Sequence, residues 1–507
     1  MEKQRIFLTG STGTMGTCVL HELMKDLDRQ DIVLLAQDTE HDRQKLSGIL
    51  GTPGITVRWG DLTCYRDVFD CVKDCDIILH VAALVSPTAD YHPELAMKVN
   101  YGSMKNLIRA IFKQGREDTV RLVSIGTVAE TGDRMPPIHW GRVGDPIKPS
   151  MFDYYAVSKI AAERLLIESG LKHWVSLRQT GIMGPAMSRI RDAIMFHNCL
   201  DNVLEYVSER DSGVLLGNLC RQVNSGELPE SFWNHIYNIG GGKSCRVSTF
   251  EMYQKLYGAI GFTDFKYVID PKWYATRNFH GQYYLDSDKL EHYLHFRHDS
   301  MQYFYDAYLQ NLGSTATAAR VLCKLPGGQK LMGGIMKKMF RKDAVTEHGT
   351  VHFIENHLDD HIDAYWGSRK NWEALPANIN EFRHFTDWDK VVRLDHGYDE
   401  DKPAERLNLS DLQGAAEFRG GRCLSDTMRE GDWSGKLKFT CAFGHTFEAS
   451  PRLILEGGHW CPECERKSWN YSARAKVDPF FAQVWNPLHS ADEPEREYLK
   501  AVSELDV

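Results

Sequence analysis

No stretch of this 507-residue chain approaches the roughly 20 consecutive apolar residues that a membrane span needs. A charged-then-apolar leader is missing too. Met1 to Arg5 runs directly into an apolar segment, so the chain is expected to be cytoplasmic. Positive charge is not in excess: 60 Lys and Arg face 69 Asp and Glu, for a net charge of −9 and a pI near 6.2. That balance argues against a general nucleic-acid-binding surface and leaves only local basic patches open. The composition is also not that of a disordered chain, because 42% of residues are hydrophobic and 25% charged. Most of the cysteines stand singly in segments of helical or strand pattern, as reduced thiols do. Cys64, Cys71 and Cys75 lie along one amphipathic helical stretch, where packing is preferred to metal binding. The length calls for two or three domains.

What is present begins at once. Arg5 to Thr9 reads as a short apolar strand, Gly10, Gly13 and Gly16 follow at the spacing G-x-x-G-x-x-G, and Thr17 to Leu27 has helical periodicity. Strand, glycine turn and helix N-terminus together make an anion site, because the backbone can approach a pyrophosphate and free N–H groups point at it. Gly10, Thr12, Gly13, Met15 and Gly16 are therefore candidate dinucleotide contacts.

Further strands are expected over 32–36, 55–58, 76–81 and 120–125, with helical patterns between them, which predicts a parallel, doubly wound α/β sheet. The end of the second strand meets the adenosine ribose in such folds, an acid favouring NAD and a nearby Arg favouring NADP. Gln37, Asp38, Arg43 and Lys45 send mixed signals there, and the basic pair tilts the reading slightly to NADP. Asp61, followed by Leu62, is placed either to accept from the adenine amino group or to cap the helix from Tyr65 onward. Ala82 and Ala83 are small enough for the chain to pass under a cofactor, and Asn100 opens the next helix.

Tyr155 and Lys159 are four apart on a helical stretch and share a face. An ammonium near a phenol favours the phenolate and yields a proton donor or acceptor near neutral pH, which hydride chemistry at a carbonyl or alcohol needs.

Thr9 to Gly16, Gly60 to Leu62, His80 to Ala83, Val99 with Asn100, and Tyr155 with Lys159 together resemble the extended short-chain dehydrogenase/reductase family, which includes NAD-dependent epimerases and dehydratases. Tyr237 to Gly242 resembles a recurring element of that family's substrate half. The resemblance covers about residues 3 to 310. It implies a Rossmann-like domain, a smaller substrate portion after about residue 180, and NAD(P)-linked chemistry. Tyr155 would be the general acid/base, and Lys159 would lower its pKa and hold the nicotinamide ribose. The third catalytic member is a hydroxyl shortly after the fifth strand. One register puts Ile125 there and another puts Thr127, so Thr127 is the candidate and Ser124 its alternate. Two departures stand out. Val128 and Ala129 replace the acidic pair of the dehydratase branch, so sugar dehydration is not expected, and Arg178-Gln179 replaces the usual Arg-Pro.

The substrate half is rich in aromatics, including Phe232, Trp233, Trp273, Tyr274, Phe279, Tyr283 and Tyr284. A lining of that kind suits a small hydrophobic or aromatic substrate, while a packed core is the plainer account of most of them. Arg320 to Lys342 holds seven Lys or Arg and no acid among apolar residues. It is expected to pack on the reductase, with contact to a membrane surface the less favoured reading, because the pairs Gly327-Gly328 and Gly333-Gly334 should break a long helix. His357 and His361, with Asp360, form a metal pair only if they are not simply on a surface helix.

A second strong pattern lies near the end: Cys441 and His445, then Cys461 and Cys464, as C-x3-H and C-x2-C. Four such ligands suit tetrahedral zinc in a closed, structural site, with His459 the substitute for His445. The segment around residues 420 to 470 resembles a zinc-ribbon or treble-clef element.

The expected organisation is thus a reductase over 1–312 (nucleotide core to about 180, substrate part 181–312), a helical and irregular extension over 313–415, and a zinc module over 416–507. The expected activity is NAD(P)-dependent interconversion of an alcohol and a carbonyl on a small-molecule substrate, in a homo-oligomer that does not bind nucleic acid. The alternatives are a sugar-nucleotide epimerase, a thioester reductase, or a dinucleotide-sensing scaffold whose zinc module binds a partner.

Overall fold

The computed structural model describes residues 3–187 and 191–499. Seven strands form its central sheet: β1 (Gln4–Thr9), β2 (Gln30–Ala36), β3 (Ile55–Trp59), β4 (Ile77–His80), β5 (Arg121–Thr127), β6 (His173–Gln179) and β7 (His235–Ile239). All pair in parallel, in the order β7-β6-β5-β4-β1-β2-β3. The strand order reverses between β1 and β4, so the crevice for a ligand opens at the carboxyl ends of those two strands.

Period-two alternation decides what packs where. Phe7, Val33, Leu35, Ile78 and Leu122 face one way, into a core with α2 (Gly102–Lys113) and α3 (Tyr154–Ile167). Ile6, Leu8, Ile32, Leu34, Leu79 and Val123 face the other, toward α1 (Thr14–Leu23) and α4 (Glu209–Ser225). Both faces are covered, which is why these strands read as continuous apolar runs. Tyr237, met in the sequence as part of a substrate-half element, belongs to β7 and closes one edge of the main sheet. The core-forming part therefore reaches past residue 180.

The extension does not form a body of its own. α5 (Ser314–Lys324) and α6 (Gly328–Ala344) bury Ala316, Ala319, Cys323 and Ala344 in one core with Phe196, Leu204, Tyr253 and Tyr274 of the substrate part. Gly327-Gly328 does separate two helices, as expected. Gly333-Gly334 does not: both lie inside α6, and Gly333 lets that helix approach so closely that a Cβ would stand 2.2 Å from the Tyr267 carbonyl oxygen. The last segment carries a three-stranded antiparallel sheet, β8 (Arg422–Cys423), β9 (Leu437–Thr440) and β10 (Thr446–Ala449), then α7 (Pro462–Lys467). Phe439, Phe447, Leu453, Ile454 and Trp460 of this segment share the core with α2 and α3.

The contact between α1 and α4 depends on Gly213, where a Cβ would lie 2.8 Å from the Cys18 backbone carbon. Replacing Gly213 by Val is expected to cost about 1–3 kcal/mol through overpacking. Urea denaturation measures this; an unchanged midpoint would show that the two helices do not approach this closely.

Candidate functional site: a dinucleotide crevice braced by a Cys/His module

The glycine turn sits at the mouth of the crevice. Gly10 has φ +72°, and a Cβ there would lie 2.7 Å from the Ala82 nitrogen; at Gly16 a Cβ would meet the Gly10 carbonyl oxygen at 1.9 Å. The fold itself thus requires these two glycines. Gly13 differs, because no protein atom comes nearer than 3.4 Å to a Cβ there and the residue is exposed. Its missing side chain leaves room beside the N-terminus of α1, which carries neither a side-chain cap nor an acid in its first turn. That is the arrangement a pyrophosphate requires. Thr12 lies at the turn's surface, whereas the Met15 side chain is buried in the core.

The opposite wall is held by hydrogen bonds. Thr9 Oγ1 accepts from the Ala82 N–H at 3.1 Å and lies 3.0 Å from His80 Nδ1, and burial holds His80 neutral, its pKa pushed down to about 3. Asn100 is 1% exposed: its Oδ1 accepts from the Leu84 N–H at 2.7 Å, and its Nδ2 donates to the Leu84 carbonyl and to Ser158 Oγ. Asn100 therefore clamps the loop after Ala82 and Ala83 to α3. At the end of β2, Gln37, Asp38 and Arg43 are exposed; Arg43 pairs with Asp38 and lies 4.7 Å over the Trp59 ring. Asp61 receives the Thr63 N–H at 2.8 Å, and the helix from Tyr65 starts at Cys64 without a side-chain cap, so Asp61 does not cap it. Leu62 packs against the core and its carbonyl accepts from Asn106.

Thr127 ends β5 and Tyr155 lies in the first turn of α3, where the nearby Thr127 hydroxyl favours the ionised phenol. Ile125 and Ser124 are further back on β5, Ser124 being paired in register with His80 and Ser176. Lys159 lies one turn along α3 from Tyr155 and is 3% exposed. The phenol is not lowered as a nearby lysine was expected to lower it. Burial raises its pKa, the nearby Thr127 hydroxyl lowers it, and Glu130, Asp153 and Asp90 raise it further. Lys159 is itself lowered by burial, against the charges of Glu130 and Glu163, which favour its ammonium form. Asp90 accepts the Tyr155 backbone N–H at 3.0 Å and is pushed up to about 7 by burial and by the Asp153 charge.

Beneath these groups runs a buried ionic chain. Arg178 on β6 lies 3.1 Å from Glu130 and 2.5 Å from Glu163, all three at 3% exposure or less. Glu130 Oε1 accepts the Thr127 N–H at 3.0 Å in a capping box, so its carboxylate points into the core and cannot serve as the acid that Val128 and Ala129 fail to supply. Glu163 accepts from Ser176 Oγ and from His459 Nε2, the latter at 3.1 Å. Arg178 also donates to the Gly457 carbonyl at 2.7 Å. Burial pushes both carboxylates up. The Arg178 charge and the His459 bond overcome this at Glu163, whereas the neighbouring Glu163 charge adds to it at Glu130, which reaches about 8. The periodic signal for Glu163 was present in the sequence, since Tyr155, Lys159 and Glu163 repeat every four residues on one face. Nothing local pointed to Glu130, and His459 stood out only as a substitute metal ligand, not as a partner of Glu163.

Cys441, His445, Cys461 and Cys464 come together at the end of that chain, their ligand atoms within 4.8 Å of one another. The first pair sits on the turn between β9 and β10, and the second at the start of α7. Cys441 and Cys464 Sγ are 3.8 Å apart, and His445 Nδ1 lies 3.3 to 3.6 Å from the three sulfurs. A tetrahedral Zn–S bond of about 2.3 Å sets sulfur–sulfur edges of about 3.8 Å, so the donor set fits that metal and is complete. His459 is turned away to Glu163 and Glu465. His357 and His361 do not converge: His361 stacks on Phe152 at 4.3 Å, while His357 Nδ1 meets Arg369. The aromatics expected near substrate are largely core, with Phe232, Trp233, Tyr274, Tyr283 and Tyr284 at 4% exposure or less.

The sequence model of the NAD dependent epimerase/dehydratase family matches residues 6–219. Over that segment the chain is similar to the family. UDP-glucose 4-epimerase of Rickettsia bellii is 31% identical over 109 residues, 21% of this chain and 32% of that protein. The inverting UDP-N-acetylglucosamine 4,6-dehydratase of Campylobacter jejuni is 26% identical over 121 residues, 24% of this chain and 36% of that one. The chain thus spans about a third of the length of these curated relatives. Among solved structures, a dTDP-glucose 4,6-dehydratase from Streptomyces venezuelae with NAD bound aligns at a TM-score of 0.48 and 20% identity, over 61% of this chain and 98% of that one.

The raised Glu130 pKa has a sign that can be worked out. The folded state holds a proton that the unfolded state releases near 4.5, so the stabilisation is full below that pH and lost progressively as pH rises to about 8. Between pH 6 and 8 the loss is expected to be on the order of 2 kcal/mol. Thermal melts across that window check it: Glu130→Gln should lack the slope, and an identical slope in the variant would refute the protonated state.

Proposed function

We propose that the chain is an NAD(P)-dependent enzyme that passes a hydride between the cofactor and a hydroxyl-bearing carbon of its substrate, in the reversible manner on which an epimerase turns. The observation that carries this reading is that the fold places Thr127, at the end of β5, beside the Tyr155 phenol, with Lys159 one helical turn away on the same face. When bound, the nicotinamide supplies the hydride acceptor or donor at a ring carbon. Tyr155 exchanges the proton of the substrate oxygen, and Thr127 orients that oxygen and the phenol. Lys159 holds positive charge next to the phenol and to the ribose that the cofactor presents.

A nucleotide-linked sugar is the proposed substrate class. The two relatives named above bear sugar-nucleotide epimerase and dehydratase names, and most of the aromatic side chains that favoured a hydrophobic substrate are used in the core. Epimerisation is preferred to dehydration because Val128 and Ala129 follow Thr127 and the Glu130 carboxylate is buried under it. For the cofactor form, the pairing of Arg43 with Asp38 favours NAD, since a 2′-phosphate would have to displace Asp38 from the guanidinium. Net reduction of a carbonyl remains the second reading, supported by the intact Tyr155 and Lys159.

Tyr155→Phe is expected to lower turnover about 10²–10⁴-fold while leaving NAD affinity unchanged. Turnover of UDP-sugars followed by sugar analysis, with NAD binding measured by fluorescence, checks both, and full activity in the variant would overturn the assignment. Tightly held NAD without net NADH formation marks an epimerase; stoichiometric NADH marks a net dehydrogenase.

Zinc is the metal proposed for the four-ligand cluster, with a structural role because the protein supplies every ligand. One zinc per chain is expected by elemental analysis. Cys464→Ser should lose it and lower the melting temperature together; a metal-free protein of unchanged stability would exclude the site.

A further inference from the structure

α5 and α6 form a helical hairpin whose inner side is accounted for and whose outer side is not. Met332, Met336 and Phe340 pack inward against the core, and Gly333 brings α6 onto Tyr267. The outer face of α6 presents Lys330, Leu331, Gly334, Ile335, Lys338, Arg341 and Lys342. Leu331 and Ile335 are 59% and 57% exposed, and on α5 and the turn after it Val321 and Leu325 are 58% and 55% exposed. These four aliphatic side chains are among the most exposed large hydrophobic residues of the described chain, and they fall within one hairpin.

The same hairpin concentrates charge of one sign. Residues 320–342 hold seven cations and no acid within a chain of net charge −9. Arg341 pairs with Glu355 and Lys337 lies 3.8 Å from Asp270, while Arg320 donates to the Ala259 carbonyl. Lys324, Lys330, Lys338 and Lys342 make no ion pair among the described residues. Five of the seven cations are lysines, point charges on flexible stems, rather than arginines with a planar fork. Such charges suit a diffuse anionic field better than carboxylates fixed in register. Their stems can lie along apolar surface while the ammonium groups stay wet. Gly334 adds to this, since a Cβ there would meet nothing within 4 Å. A solvent-facing glycine inside a helix weakens the helix without any return from packing, and here it flattens the surface between Leu331 and Ile335.

We propose that the outer face of the α5–α6 hairpin docks on an anionic lipid surface, with Val321, Leu325, Leu331 and Ile335 entering the interface and the lysines meeting the headgroups. Association is peripheral, because no helix of the described residues is long and apolar enough to cross a membrane. The interaction needs both terms: shallow aliphatic anchors, and electrostatic attraction that fails on neutral lipid. This surface is separate from the dinucleotide crevice and does not depend on the reaction proposed above.

Sedimentation of the full chain with vesicles tests it. Vesicles of phosphatidylcholine with a third phosphatidylglycerol should bind at least about tenfold more protein than phosphatidylcholine alone, and raised salt should weaken the binding severalfold. Leu331→Glu/Ile335→Glu and, separately, Lys330→Glu/Lys338→Glu should each reduce binding about tenfold with NAD affinity and melting temperature unchanged. Equal binding to neutral vesicles, or full binding by either correctly folded variant, would overturn the proposal. So would the absence of vesicle binding combined with tight retention of the wild type on polyuridylate, which would assign the face to nucleic acid.

Discussion

A single buried guanidinium sets the terms for everything around it. Arg178, 1% exposed, stands between the carboxylates of Glu130 and Glu163. Removing the charge of Arg178 or of Glu163 alone would leave the other stranded in a medium that solvates it poorly, at a cost of several kcal/mol. The three groups therefore have to be placed together. Glu130 fixes the turn that presents Thr127, and Glu163 fixes the helix that presents Tyr155 and Lys159. The relative position of a hydroxyl and a phenol at the mouth of the crevice thus follows from an ion cluster below it.

This makes the Cys/His module part of the same construction. Its loop supplies the Gly457 carbonyl to Arg178 and His459 to Glu163, while Arg164 on α3 reaches the Trp460 carbonyl and Glu465. Gly458 is held so close to Asp145 that a Cβ would overlap its carbonyl oxygen. A metal that closes the turns bearing Cys441, His445, Cys461 and Cys464 would hold that loop rigid from below. The module braces the site at a distance; its ligands need not face the substrate to matter.

The features readable from the sequence were those whose cause lies within a few residues. Strand, glycine turn and helix at the N-terminus, the C-x3-H and C-x2-C pairs, and the four-residue step from Tyr155 to Lys159 all express local geometry, and each occupies the element expected. What escaped was long-range. The Tyr155 phenol responds to Glu130 and Asp90, which only the fold brings near it. Gly333-Gly334 looked like a helix break because a glycine pair weakens a helix, yet the approach to Tyr267 rewards one of them. Strand β7 was hidden because its edge position is decided by pairing with β6, not by its own composition.

The bond between Arg178 and the Gly457 carbonyl has a consequence for synthesis. The two residues are 279 positions apart, so at about 5–20 residues per second the ribosome needs tens of seconds after releasing Arg178 to deliver its partner. Through that interval the N-terminal sheet can form, but the loop that completes the ion cluster is still unmade. The nascent chain has to hold Arg178 and Glu163 without that carbonyl and without His459 until its last third is made, and a chain interrupted in between would keep an unfinished charged interior.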